Sequence, residues 1–239
     1  MKTLLIILGI VFSLNLSAEK NIDAEEIINM IDRGQAVNLE GMKIEGILDL
    51  TDLKNRQRER GNKDSYFSTV DVELTFVDCT FSDEVLAFYC EDFSDECYRA
   101  DFKESVTFIG CNFQDETSFK YSEFSEEVVF NNNTFTHEAN FKYSKFRSET
   151  SFLGCHFEDE ANFKYTEFSG FVNFHEGQFM DEASFKYTKF HNGAMFSNVH
   201  FHEEVDFKYT KYSGDVGFEG AQFDGEVDQK YSHILQNSK

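Results

Sequence analysis

Proline and tryptophan are absent, so the aromatic content rests on 29 Phe and 10 Tyr. Basic residues are scarce: 22 Lys and Arg stand against 44 Asp and Glu, a formal charge of −22 at pH 7. That shortage of positive charge argues against nucleic acid or an anionic membrane as partner and favours solubility. After residue 18 no apolar run is long enough to cross a bilayer. Catalytic signatures are missing too: there is no HExxH, no GxSxG, no glycine-rich phosphate loop and no CxxC, and the seven His are scattered. The expectation is a non-enzyme with no catalytic residue, no cofactor and no metal site. His200 and His202 are expected to point to opposite sides of a strand.

The single apolar run lies at the start. Lys2, the stretch Leu4 to Phe12 and the small pair Ser17-Ala18 read as a secretory signal over 1–18, too short to span a bilayer. Cleavage would release the mature chain into the periplasm or the medium, with no remaining membrane span. The other reading is a retained N-terminal anchor. Either location permits disulfides.

Against these absences stands a period. From Phe119 to Phe223 an aromatic residue recurs at alternating steps of five and six, with Tyr212 in the one place where Phe is missing. Two such pairs make a unit of 22 residues, legible as FKYSEF at 119, FKYSKF at 141, FKYTEF at 163, FKYTKF at 185 and FKYTKY at 207. A fixed period near this length marks a solenoid. Two residues before nearly every aromatic is a small or β-branched one, such as Val128, Ala139, Thr166 or Ala194. Asn133 and Gly177 are the weaker members of this set. A large and a small residue two apart share one side of an extended segment. Four such segments per 22 residues predict a four-sided tube with tight corners at the five-residue steps.

The register extends earlier. NLEGMKIEGILDL (38–50) aligns with NFKYTEFSGFVNF (162–174), which sets Leu39, Ile44 and Leu50 where Phe163, Phe168 and Phe174 sit. Residues 54–68 form the one basic run and read as an exposed loop. Phe81 to Phe113 spans 32 residues, one unit plus about ten, and the surplus is placed near 84–96. Ahead of the repeat, within 19–36, Asp23 to Arg33 reads as a short amphipathic helix. Asp23 is its N-cap and Gly34 closes it. Ile27, Ile28 and Ile31 form its apolar face, suited to capping the open end of a solenoid. Residues 232–239 form a tail.

These units resemble the pentapeptide repeat family in a Phe-rich variant of alternating five and six residues: AnFKY, TeFSG and VnFHE follow the family's order of a small residue, Asn or Asp, then Phe and two variable residues. The resemblance covers about 37–231. It implies an all-β solenoid, a right-handed quadrilateral β-helix of about eight coils with a short N-terminal capping helix, and it implies no reaction. Some acidic family members mimic DNA and occupy topoisomerases. The charge of this chain suits that role, while the export signal points to another compartment.

Any residue repeated every 22 positions becomes a stripe along such a tube. Lys142, Lys164, Lys186 and Lys208 run beside Tyr143, Tyr165, Tyr187 and Tyr209, a surface for a protein partner or a glycan. Duplication alone produces such stripes, and stacked Tyr rings and Lys stems would shield the backbone. Asp115, Glu116, Glu138, Asp159, Glu160, Asp181, Glu182, Glu203, Glu204 and Glu226 form an acidic edge. It could chelate Ca²⁺ or simply remain a solvated ridge. Cys79, Cys111 and Cys155 take the small inward position. Cys79 and Cys111 would be vertical neighbours, where a disulfide would be geometrically strained, and Cys90 and Cys97 bracket the second insertion as the favoured disulfide. Gln229 in place of an interior Phe leaves the C-terminal end open to end-to-end homodimerisation. The expected function is an exported, non-catalytic structural or interaction scaffold with an unknown protein partner.

Overall fold

A computed structural model describes residues 20–232. The 1–18 signal and residues 233–239 of the tail lie outside the described residues. Each coil passes through four short strands, and equivalent strands of successive coils pair in parallel, building four flat sheets around one axis. In chain order the first coil visits Val37–Glu40, Met42–Glu45, Leu48–Asp49 and Ser65–Val70, which begin the first, second, third and fourth faces. Eight coils follow one another along the first face. The architecture is the four-sided tube that the 22-residue period predicts, and it matches the quadrilateral β-helix that the family resemblance implies.

The period produces this shape because every Phe at the five- or six-residue step lies inside. Phe163, Phe168, Phe174 and Phe185 have no exposed surface. Rings one coil apart stack nearly parallel: Phe163 and Phe185 have centroids 5.1 Å apart, and Phe130 and Phe152 lie at 5.2 Å. Rings of adjacent columns meet edge to face, as Phe152 does with Phe163 at 84°. Offset stacking and edge contact are the two arrangements the ring quadrupole favours, so the four columns interlock. The small residue two before each Phe fills the remaining volume. At the Lys-Tyr corner the hydroxyls of Ser144 and Thr166 donate to carbonyls of the preceding coil, those of Phe119 and Phe141, both at 2.6 Å. Asn133 fits the same buried site because its amide donates to the Phe108 carbonyl and its oxygen accepts from the Cys111 N–H.

The first coils differ from the reading by spacing in one respect. Leu39 pairs with Phe76 and Ile44 with Phe81, so they belong to the columns of Phe174 and Phe179 rather than those of Phe163 and Phe168. A five-six alternation repeats itself every half coil, and spacing alone cannot separate opposite corners. The N-terminal end is closed as expected. Lys20–Asp23 adds a parallel strand beside Met42–Glu45. The helix Ala24–Asp32, capped by the Asp23 carboxylate on the Glu25 N–H, buries Ala24, Ile27 and Ile31.

The insertions also depart from expectation. Residues 54–68 are not a loose loop: Gln57–Arg58 folds back antiparallel on Ser65–Val70, which is itself the first strand of the fourth face. The second insertion begins later than 84, because Val85 and Leu86 pair with Thr117 and Ser118 and remain in the third face. The extra residues lie between Ala87 and Ala100. They form the hairpin of Phe88–Cys90 and Cys97–Phe102, whose ends are joined by the Cys90–Cys97 disulfide. Cys79, Cys111 and Cys155 are buried and free.

Candidate functional site

Both insertions leave the tube at the corner between the third and fourth faces, where the regular repeats carry Lys-Tyr. Leaving together, they pair: Cys97 to Phe102 lies in parallel register with Ser65 to Val70. With Phe88–Cys90 on one side and Gln57–Arg58 on the other, the fourth face widens into a platform beside the tube. Three Tyr form a stack across it. Tyr89 and Tyr98 have ring centroids 4.9 Å apart, and Tyr98 and Tyr66 are 5.2 Å apart. Guanidinium groups cover this aromatic surface, Arg58 over Tyr66 at 5.4 Å and Arg56 over Tyr98 at 5.1 Å.

Electrostatics hold the platform flat. Arg99 bridges Glu59 at 3.1 Å and Asp101 at 3.3 Å. A hydrogen bond from Ser65 holds the Glu59 carboxyl below its ordinary pKa, and Arg99 adds to the effect. The Tyr98 hydroxyl donates to Glu96 at 2.9 Å, and that acceptor raises the phenol pKa. Between platform and tube lies a cleft of about 710 Å³, lined by Tyr66, Arg99, Tyr121, Glu123, Tyr143 and Lys145 among others. Its groups are ring edges, guanidinium, ammonium and carboxylate, the vocabulary of recognition.

At the outer end of the platform the hairpin carries Glu91-Asp92-Phe93-Ser94-Asp95-Glu96. Phe93 is 101% exposed, the only exposed Phe among the described residues. The disulfide closes the loop directly behind it.

The Tyr corner has its own geometry. In each Phe-Lys-Tyr-Ser/Thr segment the fourth residue's N–H donates to the Phe carbonyl, as Ser144 does to Phe141 at 3.1 Å. Tyr121, Tyr143, Tyr165, Tyr187, Tyr209 and Tyr231 all have φ near +60°. That places a bulky residue at the left-handed position of a type II turn, where Gly or Asn is preferred. The matching corner between the first and second faces uses mainly the preferred kinds at positive φ: Asp78, Gly110, Asn132, Gly154, Asn198 and Gly220, with Glu176 the exception. The Tyr rings offset the conformational cost by stacking on one another at 4.6–4.8 Å.

A family model described as pentapeptide repeats (9 copies) matches residues 98–145, 141–188 and 185–228, more than half of the chain. The chain belongs to the pentapeptide repeat family. No curated protein and no solved structure matches it. The family match begins at residue 98, so the platform of this pentapeptide repeat protein lies ahead of the matched segment except for residues 98–102 of its central strand.

The residues singled out from sequence fall in two places. Lys142, Lys164, Lys186 and Lys208 follow the Tyr stripe of Tyr143, Tyr165, Tyr187 and Tyr209 along one corner, and only Tyr143 of these lines the cleft. Because each Tyr face is covered by the next ring, the stripe presents edges and hydroxyls instead of the free aromatic face on which a sugar stacks. The acidic edge is crowded: burial and the neighbouring Glu160, Glu116 and Asp159 raise the pKa of the Glu138 carboxyl. Among the described residues its carboxylates do not bring three ligand atoms within 4.8 Å of one another. Sequence reasoning missed Tyr66, Tyr89, Tyr98 and Phe93. The available signal was the 32-residue offset: Tyr66 and Tyr98 are as far apart as Phe76 and Phe108, the same two coils.

Proposed function

We propose that this pentapeptide repeat protein is an exported, non-catalytic scaffold that holds a recognition platform rigidly against the side of a β-helix. Its partner on this reading is a protein with an apolar pocket rimmed by Lys or Arg. The observation that carries the reading is Phe93. Among the described residues every other Phe ring is at least partly covered, and this one stands fully in solvent at the tip of a disulfide-closed loop, among the carboxylates of Glu91, Asp92, Asp95 and Glu96. An aromatic anchor in a complementary pocket is the usual centre of a binding hot spot, and the acidic surround selects a basic rim. The Cys90–Cys97 bond and the apolar N-terminal run both favour an oxidising compartment outside the cytoplasm.

The test is affinity capture from a cell-envelope extract with the chain and with Phe93→Ser. The expected result is a basic partner retained by the parent and lost by the variant, with unchanged melting temperature because Phe93 makes no core contact. A partner held equally by both proteins would refute the reading.

A further inference from the structure

His200 and His202 flank the inward-facing Phe201 on the second face. Residues two apart in a strand project to the same side, so the expectation of opposite sides fails, and the two imidazoles face each other with centroids 3.7 Å apart. The third member comes from the next coil. Asp224 stacks on His202 in the ladder, its N–H bonding one strand along as that of His202 does, and Asp224 Oδ2 lies 2.7 Å from His200 Nε2 and 3.7 Å from His202 Nδ1. One ligand atom from each residue falls within 4.8 Å of the others, the only such group of three among the described residues.

We propose that His200, His202 and Asp224 form a binding site for a divalent transition metal of the Zn²⁺ class. Two imidazole nitrogens and one carboxylate oxygen are the donor set such ions favour, whereas Ca²⁺ and Mg²⁺ take oxygen alone. Bonds of 2.0–2.2 Å in a tetrahedron put ligand atoms about 3.4 Å apart, so small side-chain rotations bring the three into place. Two ligands share one short strand and the third is fixed one coil away by the backbone ladder, so the framework positions all three without a flexible loop. Three protein ligands leave the fourth position to water or to a group from another molecule.

The columns show why this coil alone carries the site. On the second face His200 is flanked by Gln178 and Gln222 in register, and Met180 stands one coil before His202. His156 and Glu158, two coils earlier, approach only to 3.9 Å and have no second His. All three proposed ligands point out of the tube, with side-chain exposures of 23%, 29% and 59%, so the hydrophobic core has no need of them.

Calorimetric titration of the metal-stripped full chain with ZnCl₂ tests the assignment. The expected result is one ion per chain, with affinity falling at least about tenfold in each of His200→Ala and His202→Ala and unaffected in His156→Ala. CaCl₂ is expected to give no comparable heat. Parent-like melting of the outward-facing variants establishes that they fold. Absence of Zn²⁺ binding by the parent overturns the proposal. So does binding retained in the His200→Ala/His202→Ala double variant, which would assign the ion to surface carboxylates.

Discussion

The coils from Val106 to Tyr212 and the coils before them solve the same problem differently. In the later set every face carries an inward aromatic ring in register, and one coil is nearly a copy of the next. In the earlier set Leu39, Ile44, Leu50, Val70 and Ala87 stand in those columns, and the chain leaves the tube twice at one corner. Perfect repetition maximises stacking and distributes most surface groups as stripes, the His200–His202–Asp224 group being an exception. The irregular coils break the stripe and so create a cleft, a platform and one exposed ring. Regularity supplies the framework; the departures from it supply the surfaces on which the proposed recognition rests.

Phe163→Ala, in mid-stack and wholly buried, is expected to cost about 3–5 kcal/mol in chemical denaturation. A loss below about 1 kcal/mol would mean the columns do not carry the stability of the regular coils. Leu39→Ala, at the same task in the first coil but only partly buried, should cost about 2 kcal/mol, the low end for such truncations. Equal losses at both sites would erase the distinction between the two regions.

Tyr165→Gly is expected to change stability by less than about 1 kcal/mol despite removing a large ring. Lost stacking of roughly 0.5–1.5 kcal/mol is offset by relief of a left-handed conformation costing roughly 1–2 kcal/mol. A much larger loss would show that the Tyr ladder holds the tube together. Smallest is the effect at the acidic edge. The raised Glu138 pKa means the folded state binds this proton more readily than the unfolded chain, so its contribution to stability is lost as pH rises through the folded value. Glu138→Gln should therefore melt slightly higher than the parent at pH 7, with the difference closing as pH falls towards about 4, the ordinary Glu range. A variant less stable at pH 7 would contradict the crowding of that edge.

Much of this framework is legible in the residues themselves. The Phe columns, the small inward partners and the helix capped by Asp23 follow from local rules, because each is written within a few residues and then repeated. What the residues do not display is pairing between two insertions some 30 positions apart. SYFSTV and CYRADF each alternate like strands, but their meeting depends on both leaving the tube at the same corner, a fact of the assembled coil. The half-coil offset of Leu39 has the same origin, since five-six spacing looks identical from opposite corners. His200 and His202 were misplaced for a simpler reason: the alternation of a strand puts neighbours, not next-neighbours, on opposite sides. Asp224 joins them only through the stacking of coils.

On the proposed reading a protein partner is recognised by the irregular coils and not by the repeated stripes. Site-specific photo-cross-linking measures this directly, with p-benzoylphenylalanine placed at position 93 in one protein and at position 165 in another, each irradiated in cell-envelope extract. The expected result is a cross-linked partner from position 93 and none from position 165. A partner captured from position 165 and absent from position 93 would contradict it.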